Sequence, residues 1–227
     1  MILPPRSLDL FLFDLAGTVV RDESLVKAAF RTVVDAHGLE ADDEWLRARM
    51  GVHKQEVFEE LLAGQGANLD AAGLADEFAA AAAAVVAGRG VESLPGADHV
   101  IEALTGHGIE VGFISGFAGE TARMIVAAAG WPADVVVGSD EVARGRPAPD
   151  LVLEAMARAG FTDVGRVGVA GDTPRDLQMG ANAGCGVIVG VGHGTHTLEE
   201  LAAYPHSVLL DDLHGLAALL QEGPGHS

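Results

Sequence analysis

From Pro95 onward, short apolar runs alternate with segments of helical periodicity, and this alternation narrows the possible folds more than any other feature of the sequence. The spacing predicts a helix over 98–105 and a strand over 110–114, then a helix over 120–129 and a strand over 134–137. A helix over 149–159, a strand over 166–170, a helix over 174–183 and a strand over 186–191 follow. A short strand near 207–210 and a helix over 212–220 close the series, and residues 222–227 should fray. Ahead of it stands Leu10-Phe11-Leu12-Phe13, an apolar run that reads as a buried strand. The predicted class is α/β, a Rossmann-like parallel sheet core with helices on both faces.

Residues 20–91 interrupt that pattern. Leu25, Ala28, Ala29, Val33 and Val34 recur at helical spacing, with Asp22 as a cap. Further helices are expected over 41–50, 54–63 and 69–87, with no strand among them. The core therefore comprises 1–19 and 92–227. Residues 20–91 form an inserted all-helical cap, a lid over the C-terminal edge of the sheet, bounded by Ser93-Leu94-Pro95-Gly96. Such a lid should hinge at both connections.

Composition sets outer bounds. With 227 residues, 49% hydrophobic, the chain can bury a full core plus an insertion. Its net charge of −19 argues against nucleic acid and anionic membrane surfaces as partners. Cys185 is the single cysteine, which excludes an internal disulfide and fits a reducing cytoplasm. The longest low-polarity stretch, 78–88, is mostly alanine and falls short of the ~20 residues of a spanning helix. No charged-then-apolar leader pattern precedes the first strand, so a soluble cytoplasmic protein is expected. No sequence feature demands an oligomer, although a homodimer through the lid is compatible.

Polar residues fall where the predicted strands end. Asp14 closes the first strand and opens Asp14-Leu15-Ala16-Gly17-Thr18, at the edge where open α/β sheets bind ligands. An Asp there can attack phosphorus or carbon covalently. Ser115-Gly116 ends the second strand, offering a hydroxyl and an accessible amide to a phosphoryl oxygen. Arg146 precedes a helix and can neutralise charge between nucleophile and phosphate. Asp172 and Asp176 follow the strand over 166–170. Asp14 and Asp172, with waters and a main-chain carbonyl, make a hard oxygen site suited to Mg²⁺.

These four features, in this order, resemble the haloacid dehalogenase superfamily. Ala16 is the departure, because most members carry a second Asp there as general acid and base. A phosphomonoesterase needs a proton for its leaving alkoxide, help worth about 10²–10⁴-fold, and Ala16 cannot give it. One chemistry has no such need: a lysine condensed with an aldehyde next to a carbon–phosphorus bond makes an electron sink. The chain has twelve arginines but only two lysines, Lys27 and Lys54, and an amine, unlike guanidinium, can lose its proton and attack a carbonyl.

Asp14-Leu15-Ala16-Gly17-Thr18 and Met50-Gly51-Val52-His53-Lys54 resemble the phosphonoacetaldehyde hydrolase (phosphonatase) branch. That resemblance implies Asp14 as nucleophile and Lys54 as imine former, with Met50 nearby. It implies Mg²⁺ on Asp14, the Ala16 carbonyl and Asp172, supported by Asp176. Ser115, Gly116, Arg146 and Thr18 would hold the phosphoryl group. The branch has a His where this chain has Glu56 and a Tyr where it has Phe117, and its cap is longer.

Three functions follow as expectations. The first is a Mg²⁺-dependent hydrolase of a small phosphonate aldehyde, simplest as phosphonoacetaldehyde. The second is a phosphomonoesterase for a small metabolite such as phosphoglycolate or a sugar phosphate. The third is a noncatalytic phosphate-binding protein. His53 reads as a half-exposed lid residue, Lys27 as a surface residue and Cys185 as small and buried. Trp45 and Trp131 read as packing, and His193 and His196 as a solvated loop.

Overall fold

The computed structural model describes residues 8–21 and 25–221. Asp22 and residues 222–227 lie outside the described residues. Six strands form one parallel sheet: β1 (Leu10–Asp14), β2 (Glu110–Ile114), β3 (Val135–Val137), β4 (Val167–Gly171), β5 (Val187–Val191) and β6 (Val208–Leu210), in the order β3-β2-β1-β4-β5-β6. Strand β1 is apolar at consecutive positions because both faces of the sheet are covered. Phe11 and Phe13 point to one face, Leu10 and Leu12 to the other, as the two-residue period requires.

The ten α-helices among the described residues are α1 (Val26–Ala36), α2 (Asp43–Arg47), α3 (Lys54–Gln65), α4 (Ala71–Arg89), α5 (Ala97–Gly106), α6 (Gly119–Ala129), α7 (Asp150–Ala159), α8 (Pro174–Ala183), α9 (Leu198–Leu201) and α10 (Leu213–Gln221). Helices α5, α6 and α10 cover the Phe11 and Phe13 face, while α7 and α8 cover the Leu10 and Leu12 face.

Register carries the functional consequence. Asp14 pairs with Ile114 of β2, and Phe13 with Ala170 of β4. Asp14, Ser115 just past β2 and Asp172 just past β4 therefore emerge together at one edge. The central strand between two neighbours is what brings residues this far apart in sequence to one place.

Helices α1 to α4 occupy the chain between β1 and α5 and pack on one another. Phe30 stacks on Phe58 at 5.4 Å and on Trp45 at 6.2 Å between ring centres. Leu74, Phe78, Ala82 and Val86 recur every fourth residue along α4 and are buried. Full burial of one such large side chain contributes about 1.5–3 kcal/mol. At 19 residues, α4 exceeds the apolar stretch read from sequence and is long and apolar enough to cross a membrane by length and composition. Alanine supplies most of that apolarity, and the larger residues Leu74, Phe78 and Val86 are buried.

One expected helix is shorter than predicted. Residues 41–50 yield only α2, because beyond Ala48 the amides of Arg49 and Met50 donate to Leu46 and Arg47, three residues back, before Gly51 at φ +79° turns the chain toward α3. Leu46 and Met50, four apart and both buried, mimic helical periodicity through these turns. By contrast, α8 keeps its predicted bounds. Thr173 caps it, Pro174 opens it, Asp176 completes a capping box and Gly184 ends it with positive φ.

Candidate active site

The strand edge holds a buried cluster of charge. Asp14, Asp172 and Asp176 each place a carboxylate oxygen within 4.8 Å of the others. They are 3%, 0% and 1% exposed, and Arg146 is 7% exposed, so none of these charges is neutralised by bulk water. Arg146 Nη1 donates to Asp14 Oδ1 at 2.7 Å and also to Asp176 Oδ1. The other oxygen of Asp176 accepts from the Thr173 amide at 3.0 Å and hydroxyl at 2.6 Å. Asp172 accepts from the Thr18 hydroxyl at 3.3 Å and from the Thr195 amide at 2.6 Å.

Three carboxylates against one guanidinium leave an excess of negative charge in a dry place. Burial raises the Asp14 carboxyl well above the ordinary carboxylate range; Arg146 opposes that rise, while Asp176 and Asp172 add to it. Burial alone would lower Arg146, but Asp14 and Asp176 hold it above its ordinary value. A hard divalent cation fits this cluster on chemical grounds. The donors are all oxygens, they converge, and the surplus charge needs a counterion.

Backbone geometry lets these groups crowd. Gly17 has φ +86°, and a Cβ there would collide with the Asp172 carboxylate. Gly116 lies so close to Arg146 that a Cβ would meet its guanidinium at 2.9 Å. Ser115 turns its hydroxyl to the Phe117 amide at 3.2 Å and is 1% exposed.

The helices opposite supply different residues. Lys54 opens α3, where the helix dipole disfavours a cation, so helix stability does not explain its placement. Its Nζ lies 5.4 Å from the centre of the Phe78 ring, which stacks on Phe117 at 5.9 Å. Lys54, Met50 and Gly51 line one small cavity together with Asp14, Ala16, Ser115, Gly116 and Arg146. That cavity measures about 20 Å³, room for little more than a single water. Beyond Lys54 it adjoins an open cleft of about 620 Å³, whose walls include Glu56, Asp76, Phe117 and Asp140.

Comparison with known proteins agrees with this arrangement. The model of the haloacid dehalogenase-like hydrolase family matches residues 8–184. The chain belongs to that family. It is 30% identical over 206 residues, 89% of each chain, to a probable phosphatase IndB from Dickeya dadantii. It is 29% identical over 192 residues to a phosphonoacetaldehyde hydrolase from Latilactobacillus sakei, covering 76% of this chain and 71% of that one. A phosphonoacetaldehyde hydrolase like protein from Oleispira antarctica superposes with a TM-score of 0.82 at 22% identity, over 98% of this chain and 95% of that one. The chain is thus a haloacid dehalogenase-like hydrolase, and the noncatalytic alternative gives way.

Within this family member, the residues expected from sequence converge. Asp14, Ala16, Met50, Lys54, Ser115, Gly116 and Arg146 line one cavity, Asp172 and Asp176 stand beside it, and Thr18 bonds Asp172. His53 accepts the Gln55 amide at 3.3 Å and so caps α3. Lys27 pairs with Asp43 on the surface at 2.5 Å. Trp131 stacks on Phe113, and Trp45 on Phe30. Cys185 is only half-buried, yet burial of its sulfur pushes the thiol up to about 12.

The loop after β5 differs most from expectation. His193 and His196 are half-buried rather than solvated, and burial holds both imidazoles below their usual value. His193 Nε2 lies 3.0 Å from the Thr18 carbonyl, and the neighbouring Thr195 amide binds Asp172. A backbone amide carries no side-chain signature, so Thr195 was invisible in the sequence. The flanking glycine was the available signal, because a Cβ at Gly194 would collide with Asp172 and the Gly17 carbonyl.

Proposed function

We propose that the chain is a phosphonatase-like hydrolase that cleaves the carbon–phosphorus bond of a small phosphonate bearing an aldehyde, simplest as phosphonoacetaldehyde to acetaldehyde and phosphate. The supporting observation is that Lys54 and Asp14 line the same cavity while Ala16, beside them, offers no proton. In this reading residues 20–91 are a lid, and the core comprises 1–19 and 92–227. In this conformation the cavity has only about 20 Å³, so the lid must move for substrate to enter.

Asp14, the Ala16 carbonyl and Asp172 would hold Mg²⁺, with Asp176 in support. When bound, the ion would screen the anionic nucleophile from the anionic substrate. The phosphoryl oxygens would lie against the Ser115 hydroxyl, the Gly116 amide and Arg146, whose Nε is buried without a partner among the described residues. Thr18 stands behind them and steadies Asp172.

The Lys54 amine adds to the aldehyde and loses water, forming a protonated imine. Asp14 then attacks phosphorus. The carbon–phosphorus electron pair becomes the carbon–carbon double bond of an enamine, the carbon–nitrogen π pair returns to the Lys54 nitrogen, and the phosphoryl group is left on Asp14. No alkoxide departs, so the absent acid at Ala16 costs nothing. Protonation of the enamine at carbon and two hydrolyses release acetaldehyde and phosphate and restore both side chains.

The open cleft favours a second reading. At about 620 Å³ it greatly exceeds a two-carbon aldehyde, and the Dickeya relative, like a hexitol phosphatase A from Escherichia coli at 31% identity over 201 residues, bears a phosphatase name. A phosphomonoesterase for a small metabolite would use the same Asp14 and place its organic part in that cleft. The deciding experiment supplies phosphonoacetaldehyde to purified protein with Mg²⁺ and adds borohydride during turnover. Release of acetaldehyde and phosphate, with a reduced adduct on Lys54, supports the phosphonatase. Hydrolysis of alkyl phosphates with no adduct selects the phosphomonoesterase.

A further inference from the structure

The segment Gly192-His193-Gly194-Thr195-His196 has no part in the chemistry above, yet it touches both sides of the site. Thr195 is bonded through both of its main-chain groups. The amide donates to Asp172 Oδ2 at 2.6 Å, and the carbonyl accepts from Arg47 Nε at 3.0 Å. Arg47 belongs to α2, in the helical block. The same guanidinium also grips Glu200 of α9 through Nη2, at 3.0 and 2.8 Å to its two oxygens. Glu200 is itself held by Thr197, whose amide donates to it at 2.8 Å in a capping box. One rigid fork therefore fastens the helical block to the loop that orients Asp172.

We propose that Arg47 is a positioning residue: by holding the Thr195 carbonyl, it couples docking of the helical block to the placement of Asp172 for divalent cation binding. This rests on the reading of Asp172 as a cation ligand. Gly194 makes the coupling tight, because the loop lies against Asp172 and Gly17 with no space for a side chain. When the lid is open, Arg47 leaves both acceptors and the Thr195 amide loses one of its restraints. Cation affinity should then fall, which links a closed lid to a loaded site.

The test measures Mn²⁺ alone, an oxygen-seeking stand-in for Mg²⁺, binding to the full-length protein by electron paramagnetic resonance, without substrate. Arg47→Ala should weaken Mn²⁺ binding roughly threefold to tenfold, on the scale of outer bonds around a metal ligand. Its metal-free Tm should barely move, because an exposed pair contributes little stability. Arg47→Lys, which can reach only one acceptor at a time, should recover part of the loss. Glu200→Gln, which keeps the helix cap, provides a second variant should Arg47→Ala fold poorly, and it should weaken binding in the same direction. Mn²⁺ affinity equal to wild type in folded Arg47→Ala or Glu200→Gln would overturn the coupling. If wild-type protein does not bind Mn²⁺, or Asp172→Asn binds it as tightly as wild type, the cation reading fails and takes the coupling with it.

Discussion

The two sides of the cavity are built on different principles. On the sheet side, Asp14, Asp172, Asp176 and Arg146 are almost without solvent contact, and Arg146 pairs with Asp14 and Asp176. On the helical side, Lys54 and His53 are half-buried and Glu56 is exposed at the wall of an open cleft. Buried charges are expensive to leave unpaired, so each residue of the sheet-side cluster constrains the others and none can change alone. Residues lining a wet cleft carry no such mutual obligation. Under the proposed function the phosphoryl chemistry resides on the buried edge, while the opposite wall defines the organic part of the substrate.

The sharpest way to break this comparison is at Asp14, the proposed nucleophile. Asp14→Asn keeps the shape of the cluster and removes its reactivity, so turnover of any substrate should fall by about 10⁴-fold or more. Phosphate release by the folded variant checks this. Substantial residual activity would move the chemistry away from the sheet edge. On the opposite wall, Lys54→Arg should be selective. Cleavage of phosphonoacetaldehyde should drop by about 10³-fold or more, because guanidinium forms no imine. Hydrolysis of an activated aryl phosphate and Mn²⁺ affinity should stay near wild type. Equal losses on both substrates would mean that Lys54 serves phosphate binding, erasing the proposed division of labour.

Stability should separate the two sides in the same way. Arg146→Met removes the guanidinium paired with Asp14 and Asp176 and should destabilise the metal-free protein by about 3–5 kcal/mol. Denaturant unfolding measures it, and added Mg²⁺ should restore part of the loss by supplying the missing positive charge. No recovery with Mg²⁺ would place the cation elsewhere.

Legibility in the sequence follows the same boundary. The strand over 110–114 and the helix over 174–183 were readable to the residue, because a doubly buried strand and a capped helix both carry dense local signals. The cluster was readable because parallel register projects Asp14, Ser115 and Asp172 to one edge without further information. The early end of α2 was not, since Leu46 and Met50 keep helical spacing through the turns that follow it. Nor was the Thr195 clamp, which acts through backbone atoms and joins segments nearly 150 residues apart, the span from Arg47 to Thr195 being 148. Side-chain chemistry shows in a sequence; long-range main-chain contacts show only in the fold.

The smallest expected effect lies where the two sides meet, at the Arg47–Glu200 pair. The Thr197 amide and then the Arg47 guanidinium pull the Glu200 carboxyl down to about 2 from its ordinary 4.5. A group whose value is depressed by folding contributes stability above its unfolded value and loses it as pH falls through the folded one. The contribution of Glu200 should therefore be complete above about pH 4.5 and gone near pH 2. Both partners are exposed, with side chains 48% and 42% accessible, so solvent and salt screen the pair and the difference in Tm is small. Thermal unfolding of wild type and Glu200→Gln should show a modest wild-type advantage at pH 5 that shrinks to nothing toward pH 2, and that is reduced in high salt. An advantage that persists at pH 2 would mean that Glu200 acts through packing rather than charge. The electrostatic tie between the helical block and the Asp172 loop would then have to rest on the Arg47–Thr195 bond alone.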